Sequence, residues 1–180
     1  TEICVIGGGL FGLTTAYYLT KCGKKVIVLE KGEIGSKVSG NTTGKITSQH
    51  DLFYAHLIDD YGEDYAKKYL EANEKAIQNI KQIIKEEQID CDFSMQKSYV
   101  YTTKEDEVLE IQKEVEAVNK LGKDAKFVNK IDLPIKIKGA IEFEGQAQFH
   151  PRKYMLGLAN SIEKQNKIYQ YTTVTDVEKN

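Results

Sequence analysis

Short unbroken apolar runs alternate along this chain with longer segments in which apolar residues return every three or four positions, and the two patterns predict different elements. Ile3-Cys4-Val5-Ile6 and Val26-Ile27-Val28-Leu29 are of the first kind, suited to strands of a parallel sheet covered on both faces. Between them Leu10 to Cys22 reads as a helix, with Leu10, Leu13, Tyr17 and Cys22 on its inward stripe and Gly23 as its stop. From Glu63 to Gln88 a long helix is predicted: Tyr65, Tyr69, Leu70, Ala76, Ile77, Ile80, Ile83 and Ile84 share a core-facing side. Lys67, Lys68, Glu71, Glu74, Lys75, Lys81 and Lys85 form a solvated one.

The second half of the chain changes rhythm. Ser98 to Thr102 suits a strand by its aromatic and branched residues. Thr103 with Asp106 reads as a capping box that opens a helix with Val108, Ile111, Val115, Val118 and Leu121 inward and Gly122 as its stop. Lys126–Val128, Ile135–Lys138 and Ala140–Phe143 predict short strands, the middle one alternating as a half-exposed antiparallel strand does. Pro151 begins a helix with Tyr154, Met155, Leu158, Ala159 and Ile162 inside, and Ile168 to Thr175 reads as a final strand. This order predicts an α/β fold: a Rossmann-like βαβ layer, incomplete as it stands, interrupted by an inserted α+β domain. The layer takes residues 1–91 and 149–180, and the insertion takes 92–148.

The turn between the first strand and helix carries the candidate chemistry. Gly7-x-Gly9-x-x-Gly12 supplies the tight turn, the close backbone approach to a pyrophosphate and the close packing of helix on strand that a dinucleotide cradle needs. Leu10 and Phe11 lie at the helix start, where unpaired N–H groups face a phosphate. Glu30 ends the second strand about 20 residues beyond the glycines, where a carboxylate accepts hydrogen bonds from ribose hydroxyls. A 2′-phosphate beside it would set like charges together, which disfavours NADP. Lys31 reads either as a solvated strand end or as a cation that can swing toward a phosphate. On these residues alone NAD serves as well as FAD, and a noncatalytic nucleotide-binding module stays open.

A loop rich in glycine and hydroxyls follows, from Lys31 to Lys45. Its Gly40-Asn41-Thr42-Thr43-Gly44-Lys45 stretch is not a P-loop: it is one residue short between the glycines, and Ile46 stands where a magnesium ligand belongs. The part from Ser36 to Lys45 is unnecessary for NAD and suited to a more extended flavin dinucleotide.

Composition narrows the classes further. The 25 Lys and Arg against 27 Asp and Glu leave a formal charge of −2, with no basic stripe for nucleic acid or a membrane surface. No apolar run reaches the length of a membrane span, and the start enters a strand directly, so a cytoplasmic location is expected. The 3 cysteines, Cys4, Cys22 and Cys91, form no metal or dithiol pattern, and Cys4 and Cys22 read as small hydrophobes of a buried strand and a helix. His50 and His56 are poorly spaced as ligands, and His150 reads as the residue leading into a helix. A start without methionine and a polar end are expected of a piece of a longer polypeptide; a homo-oligomer is left open.

Four stretches together resemble the D-amino-acid oxidase-like (DAO) family of FAD-dependent oxidoreductases: Cys4 to Gly12, Val26 to Glu30, Ser39-Gly-Asn-Thr-Thr-Gly-Lys45, and Gln148-Phe-His-Pro151 before a helix. Lys45-Ile-Thr-Ser-Gln-His50 before a Tyr-rich segment is similar to the branch that often carries a C-terminal Rieske domain, whose Cys/His ligand pairs this sequence lacks. The resemblance implies that Gly7, Gly9, Leu10, Phe11 and Gly12 hold the FAD pyrophosphate and that Glu30 and Lys31 lie at the adenosine ribose. Asn41, Thr42, Thr43, Gly44 and Lys45 would lie near the pyrophosphate and flavin ring, and Val174 would meet the adenine. Residues 92–148 would be part of a substrate domain. It implies an oxidoreductase acting on an amino acid or other amine by hydride transfer to flavin, with no nominated catalytic residue.

Overall fold

The computed structural model describes residues 1–178. The chain divides into two compact units: one takes Thr1–Lys45, Lys81–Phe93 and the stretch from Phe149 on, the other Ile46–Ile80 and Ser94–Gln148.

The first unit is built on three parallel strands. β1 (Ile3–Ile6) pairs with β2 (Val26–Leu29), and β2 pairs with β7 (Lys167–Tyr169), in the order β1-β2-β7. α1 (Leu10–Lys21) links β1 to β2, and α5 (Pro151–Glu163) leads into β7, giving the crossover connections a parallel sheet requires. Leu13, Ala16, Val28, Tyr154, Met155, Leu158 and Ile162 are fully or almost fully buried, so the α1 and α5 stripes meet the sheet as their periodicity requires. Asn166, in the turn before β7, accepts the Val26 N–H at 2.8 Å and donates to Thr20 Oγ1 at 2.8 Å and the Lys24 carbonyl at 3.3 Å. That side chain ties the start of β2 to the end of α1. His150 caps α5, its Nδ1 accepting the Lys153 N–H at 3.4 Å, in line with its expected place before the helix.

The second unit is antiparallel. β6 (Gly139–Gln148) pairs with β4 (Ser94–Thr102) and with β5 (Ala125–Val128); the register with β4 shifts between Gln96 and Ser98. β3 (Lys45–Ile46) is a two-residue strand at the unit boundary. Over this sheet lie α2 (Tyr54–Tyr61), α4 (Val108–Lys120) and the part of α3 (Glu63–Glu86) up to Ile80. Tyr54, Ala66, Leu70, Ile111, Val118, Ile141 and Phe143 form its core. Glu114 of α4 is 1% exposed and its carboxylate accepts the Phe53, Tyr54 and Ala55 N–H groups at 2.9, 2.7 and 2.7 Å. A side chain from another helix thus supplies the acceptors that the first turn of α2 lacks in its own sequence.

Several sequence expectations are corrected. Residues 46–80, placed by sequence with the dinucleotide-binding part, pack in the second unit because Ala66 and Leu70 bury against Ile111 and Phe143. The α4 helix begins at Val108, since Thr102 rather than Thr103 accepts the Lys104 N–H, at 3.0 Å, and donates to Glu107 at 2.5 Å. Ile135–Lys138 forms no strand: Pro134 just before it has no N–H to give a ladder, and Ile135 is 40% exposed. The last strand stops at Tyr169, because Tyr171 turns to a left-handed φ of 54°. Cys4 and Cys22 are exposed, the first on a strand paired along one edge only among the described residues, the second at the C-terminal cap of α1.

Candidate functional site

The glycine turn forms as its spacing predicts. Gly7 has a φ of 106°, open to glycine alone without strain, and its N–H donates to the Leu29 carbonyl at 2.8 Å. A Cβ on Gly12 would overlap the Gly7 carbonyl oxygen, so the first turn of α1 closes against the β1 exit only with glycine there. Gly9 precedes α1 in an extended conformation, and a Cβ on it would stand 3.2 Å from Ser39 Oγ. The Leu10 N–H donates to that same Ser39 hydroxyl at 3.3 Å, while the Phe11 and Gly12 N–H groups have no acceptor among the described residues. Donors aligned with the positive end of α1 make this mouth suited to an anion.

Glu30 closes the other side. Its Oε2 accepts the Gly8 N–H at 2.6 Å and its Oε1 the Gly32 N–H at 2.8 Å, and the residue is 8% exposed. The Gly8 bond holds the carboxyl below its ordinary value; the Gly32 bond and the charges of Lys31 and Lys37 add to this, while burial opposes it. Gly8 is itself constrained, because a Cβ there would come within 3.0 Å of Glu30 Cβ. The Glu30 main chain is fixed too: its N–H donates to the Tyr169 carbonyl at 2.9 Å, and its carbonyl accepts the Thr172 N–H at 2.9 Å.

These elements enclose a pocket of about 270 Å³ lined by Ile6, Gly7, Leu29, Glu30, Lys31, Lys37, Thr172, Thr173 and Val174. Gly7, Glu30, Lys31 and Val174 are therefore brought together as sequence suggested, although Val174 arrives on an irregular segment beyond β7. Leu10 and Phe11 stand at the adjoining helix mouth, Phe11 87% exposed. Asn41, Thr42, Thr43 and Lys45 are exposed and do not line this pocket. Asn41 closes the 3-10 turn Val38–Asn41 by donating to the Lys37 carbonyl at 2.9 Å. Gly44, with a φ of 76°, lies so near the Phe149 carbonyl oxygen that a Cβ would overlap it, and its own carbonyl accepts the Phe149 N–H at 3.1 Å. Sequence reasoning passed over Gly8, Lys37, Thr172 and Thr173; the run of three glycines was the available signal for the first, and nothing local marked the others.

A larger hollow of about 450 Å³ lies between the end of α3 and α5 and includes no cradle residue. Its Glu87 is already engaged by Ser161 at 2.6 Å and Lys164 at 3.4 Å. His50 is hydrogen-bonded to Tyr69 at 2.8 Å. Among the described residues no group of three or more His, Cys, Asp or Glu is placed to hold a metal ion, and no helix is long and apolar enough to cross a membrane.

The chain is matched over residues 2–180 by the model of a family described as FAD dependent oxidoreductase, DAO. It is 40% identical over 179 residues to YhfW of Bacillus subtilis (strain 168), a protein named for a Rieske 2Fe-2S iron-sulfur centre; the match covers 99% of this chain and 35% of that protein. It is 30% identical over 190 residues to OrdL of Haemophilus influenzae, named as an oxidoreductase, covering 99% of this chain and 43% of OrdL. Among solved structures, glycine oxidase from Bacillus cereus ATCC 14579 superposes with a TM-score of 0.75 at 21% identity, over 99% of this chain and 48% of that one. L-proline dehydrogenase from P. horikoshii gives 0.72 at 22%, over 97% and 45%. These two likenesses show the fold. The chain spans less than half the length of the relatives named here.

Proposed function

Because this chain belongs to the DAO family of FAD-dependent oxidoreductases, we propose that it supplies the cofactor-holding portion of an enzyme that oxidises an amino acid or other small amine by hydride transfer to flavin. The observation that carries this reading is the joining of Glu30 to Gly8 at 2.6 Å on one wall of a pocket that Gly7 and Val174 also line. A carboxylate with each oxygen oriented by a backbone N–H keeps lone pairs for two ribose hydroxyls. A glycine turn with spare N–H donors at its helix mouth takes the pyrophosphate. The residues present thus fit FAD: Glu30, Lys31 and Val174 at the adenosine, and Gly7, Gly9, Leu10, Phe11 and Gly12 at the phosphates.

Asn41, Thr42, Thr43 and Lys45 offer exposed donors for the flavin end of the cofactor, and the buried Gly44 among them is held by its hydrogen bond with Phe149. When bound, FAD supplies the two-electron acceptor. The chain's own residues bind and orient it, and the Lys45 ammonium adds positive charge that favours an anionic reduced cofactor. An amine or amino-acid substrate agrees with the names of glycine oxidase, L-proline dehydrogenase and an Escherichia coli relative named gamma-glutamylputrescine oxidoreductase. YhfW's name raises a Rieske centre as an electron partner carried elsewhere in the natural polypeptide.

The visible absorption spectrum of the purified polypeptide tests the reading. Flavin bands that persist through gel filtration are the expected result. A colourless protein that binds NAD and not FAD overturns it.

A further inference from the structure

Lys37 has no place in the motif that defines the cradle, yet it shares the pocket of about 270 Å³ with Gly7, Glu30 and Thr173. Its backbone is fixed at the head of the 3-10 turn, where its carbonyl accepts the Gly40 N–H at 3.1 Å and Asn41 Nδ2 at 2.9 Å. Its side chain folds back over the Gly32 turn, with Cε 4.0 Å from where a Cβ on Gly32 would stand. Lys21, Lys24, Lys97, Lys123 and Lys153 each lie within 4 Å of a carboxylate, but among the described residues the Lys37 ammonium has no such partner. Glu30 shares the pocket but forms no ion pair with Lys37 among the described residues, and its two oxygens each accept a backbone N–H. An unpaired, flexible cation therefore borders a pocket beside the positive end of α1.

We propose that Lys37 is a further nucleotide-binding residue, whose ammonium contacts a phosphate of an adenine nucleotide seated against Glu30. The inference rests on the dinucleotide reading of this pocket and adds to it a residue and a charge. It also explains how an exposed loop side chain bears on the buried acid: the Lys37 charge helps keep Glu30 ionised, the form that accepts from ribose. A lysine serves here as a compact charge on a long stem, reaching a phosphate that the helix mouth already attracts.

Calorimetric titration of the 180-residue chain with ADP and with adenosine tests it. For Lys37→Gln, ADP affinity is expected to fall about five- to twentyfold, as the loss of one charge-assisted contact implies. Adenosine affinity should stay within about twofold, and Lys37→Arg should restore ADP binding. The dependence of ADP affinity on salt should be shallower in Lys37→Gln, which a purely structural role does not produce. An unchanged ADP affinity in Lys37→Gln overturns the inference and leaves the cradle standing, as does an equal loss for adenosine and ADP. Failure of the unaltered chain to bind ADP at all overturns the adenosine-pocket reading, and this inference falls with it.

Discussion

Gly8 and Glu30 are locked to each other beside the pocket of about 270 Å³, the Gly8 N–H donating to Glu30 Oε2 at 2.6 Å while a Cβ on Gly8 would approach Glu30 Cβ to 3.0 Å. The acid of the fingerprint is thus a structural member of the turn before any ligand arrives. Its folded carboxyl lies below the ordinary value of 4.5, so its stabilisation is complete above that value and is lost as pH falls through the lower folded one. Glu30→Gln should cost about 1–3 kcal/mol near neutral pH, because an amide nitrogen then faces one of the two N–H groups. The check is the melting temperature against pH: the variant and parent curves should begin to approach as pH falls below about 4.5 and meet only below the lower folded value.

Gly12 and Gly9 should separate folding from binding. Gly12→Ala forces a methyl into the Gly7 carbonyl and is expected to destabilise the chain by about 1–3 kcal/mol or more. Gly9→Ala meets only Ser39 Oγ at 3.2 Å, so its melting temperature should stay near the parent's while dinucleotide affinity drops. Gly9→Val should abolish that affinity with the remaining helices folded. Thermal unfolding followed by circular dichroism, beside FAD titration, distinguishes the pair.

Glu114 should be among the most sensitive positions of the second unit. Glu114→Gln leaves one carbonyl oxygen for three N–H groups and is expected to cost about 1–3 kcal/mol. Hydrogen exchange locates the effect: the Phe53, Tyr54 and Ala55 amides should lose protection before those of α4.

Asn166→Ala should loosen the parallel sheet. It deprives the buried Val26 N–H of its acceptor and Thr20 Oγ1 of its donor, and urea unfolding should show a loss of about 1–3 kcal/mol. Asn166→Asp keeps the acceptor for Val26 but not the donor, so an intermediate loss is expected.

The features legible in the sequence were those whose cause is local. The α5 stripe, the Leu13 and Tyr17 part of the α1 stripe, the glycine turn and the acid at the end of β2 depend on residues a turn or two apart, and the structure forms each of them. Hidden features were those whose cause lies far along the chain. The α2 start has no capping residue of its own because Glu114, about sixty positions later, supplies the acceptors. Thr103 and Asp106 matched a capping pattern, but the competing Thr102–Glu107 contact set the boundary. Lys37, Thr172 and Thr173 join the pocket through tertiary approach alone, which no spacing rule in one sequence exposes.

The hold that β7 and its trailing segment keep on Glu30 has a consequence for biosynthesis. The Tyr169 carbonyl and the Thr172 N–H fix the Glu30 main chain, so the acid of the first βαβ turn is not fully placed until residues about 140 positions later have left the ribosome. The second unit is translated in the interval and can collapse around Phe143 and Ile111 while the pocket beside Glu30 still lacks the wall that Thr172, Thr173 and Val174 give it. A chain halted before Asn166 lacks both β7 and the acceptor of the Val26 N–H, so its parallel sheet is left at two strands.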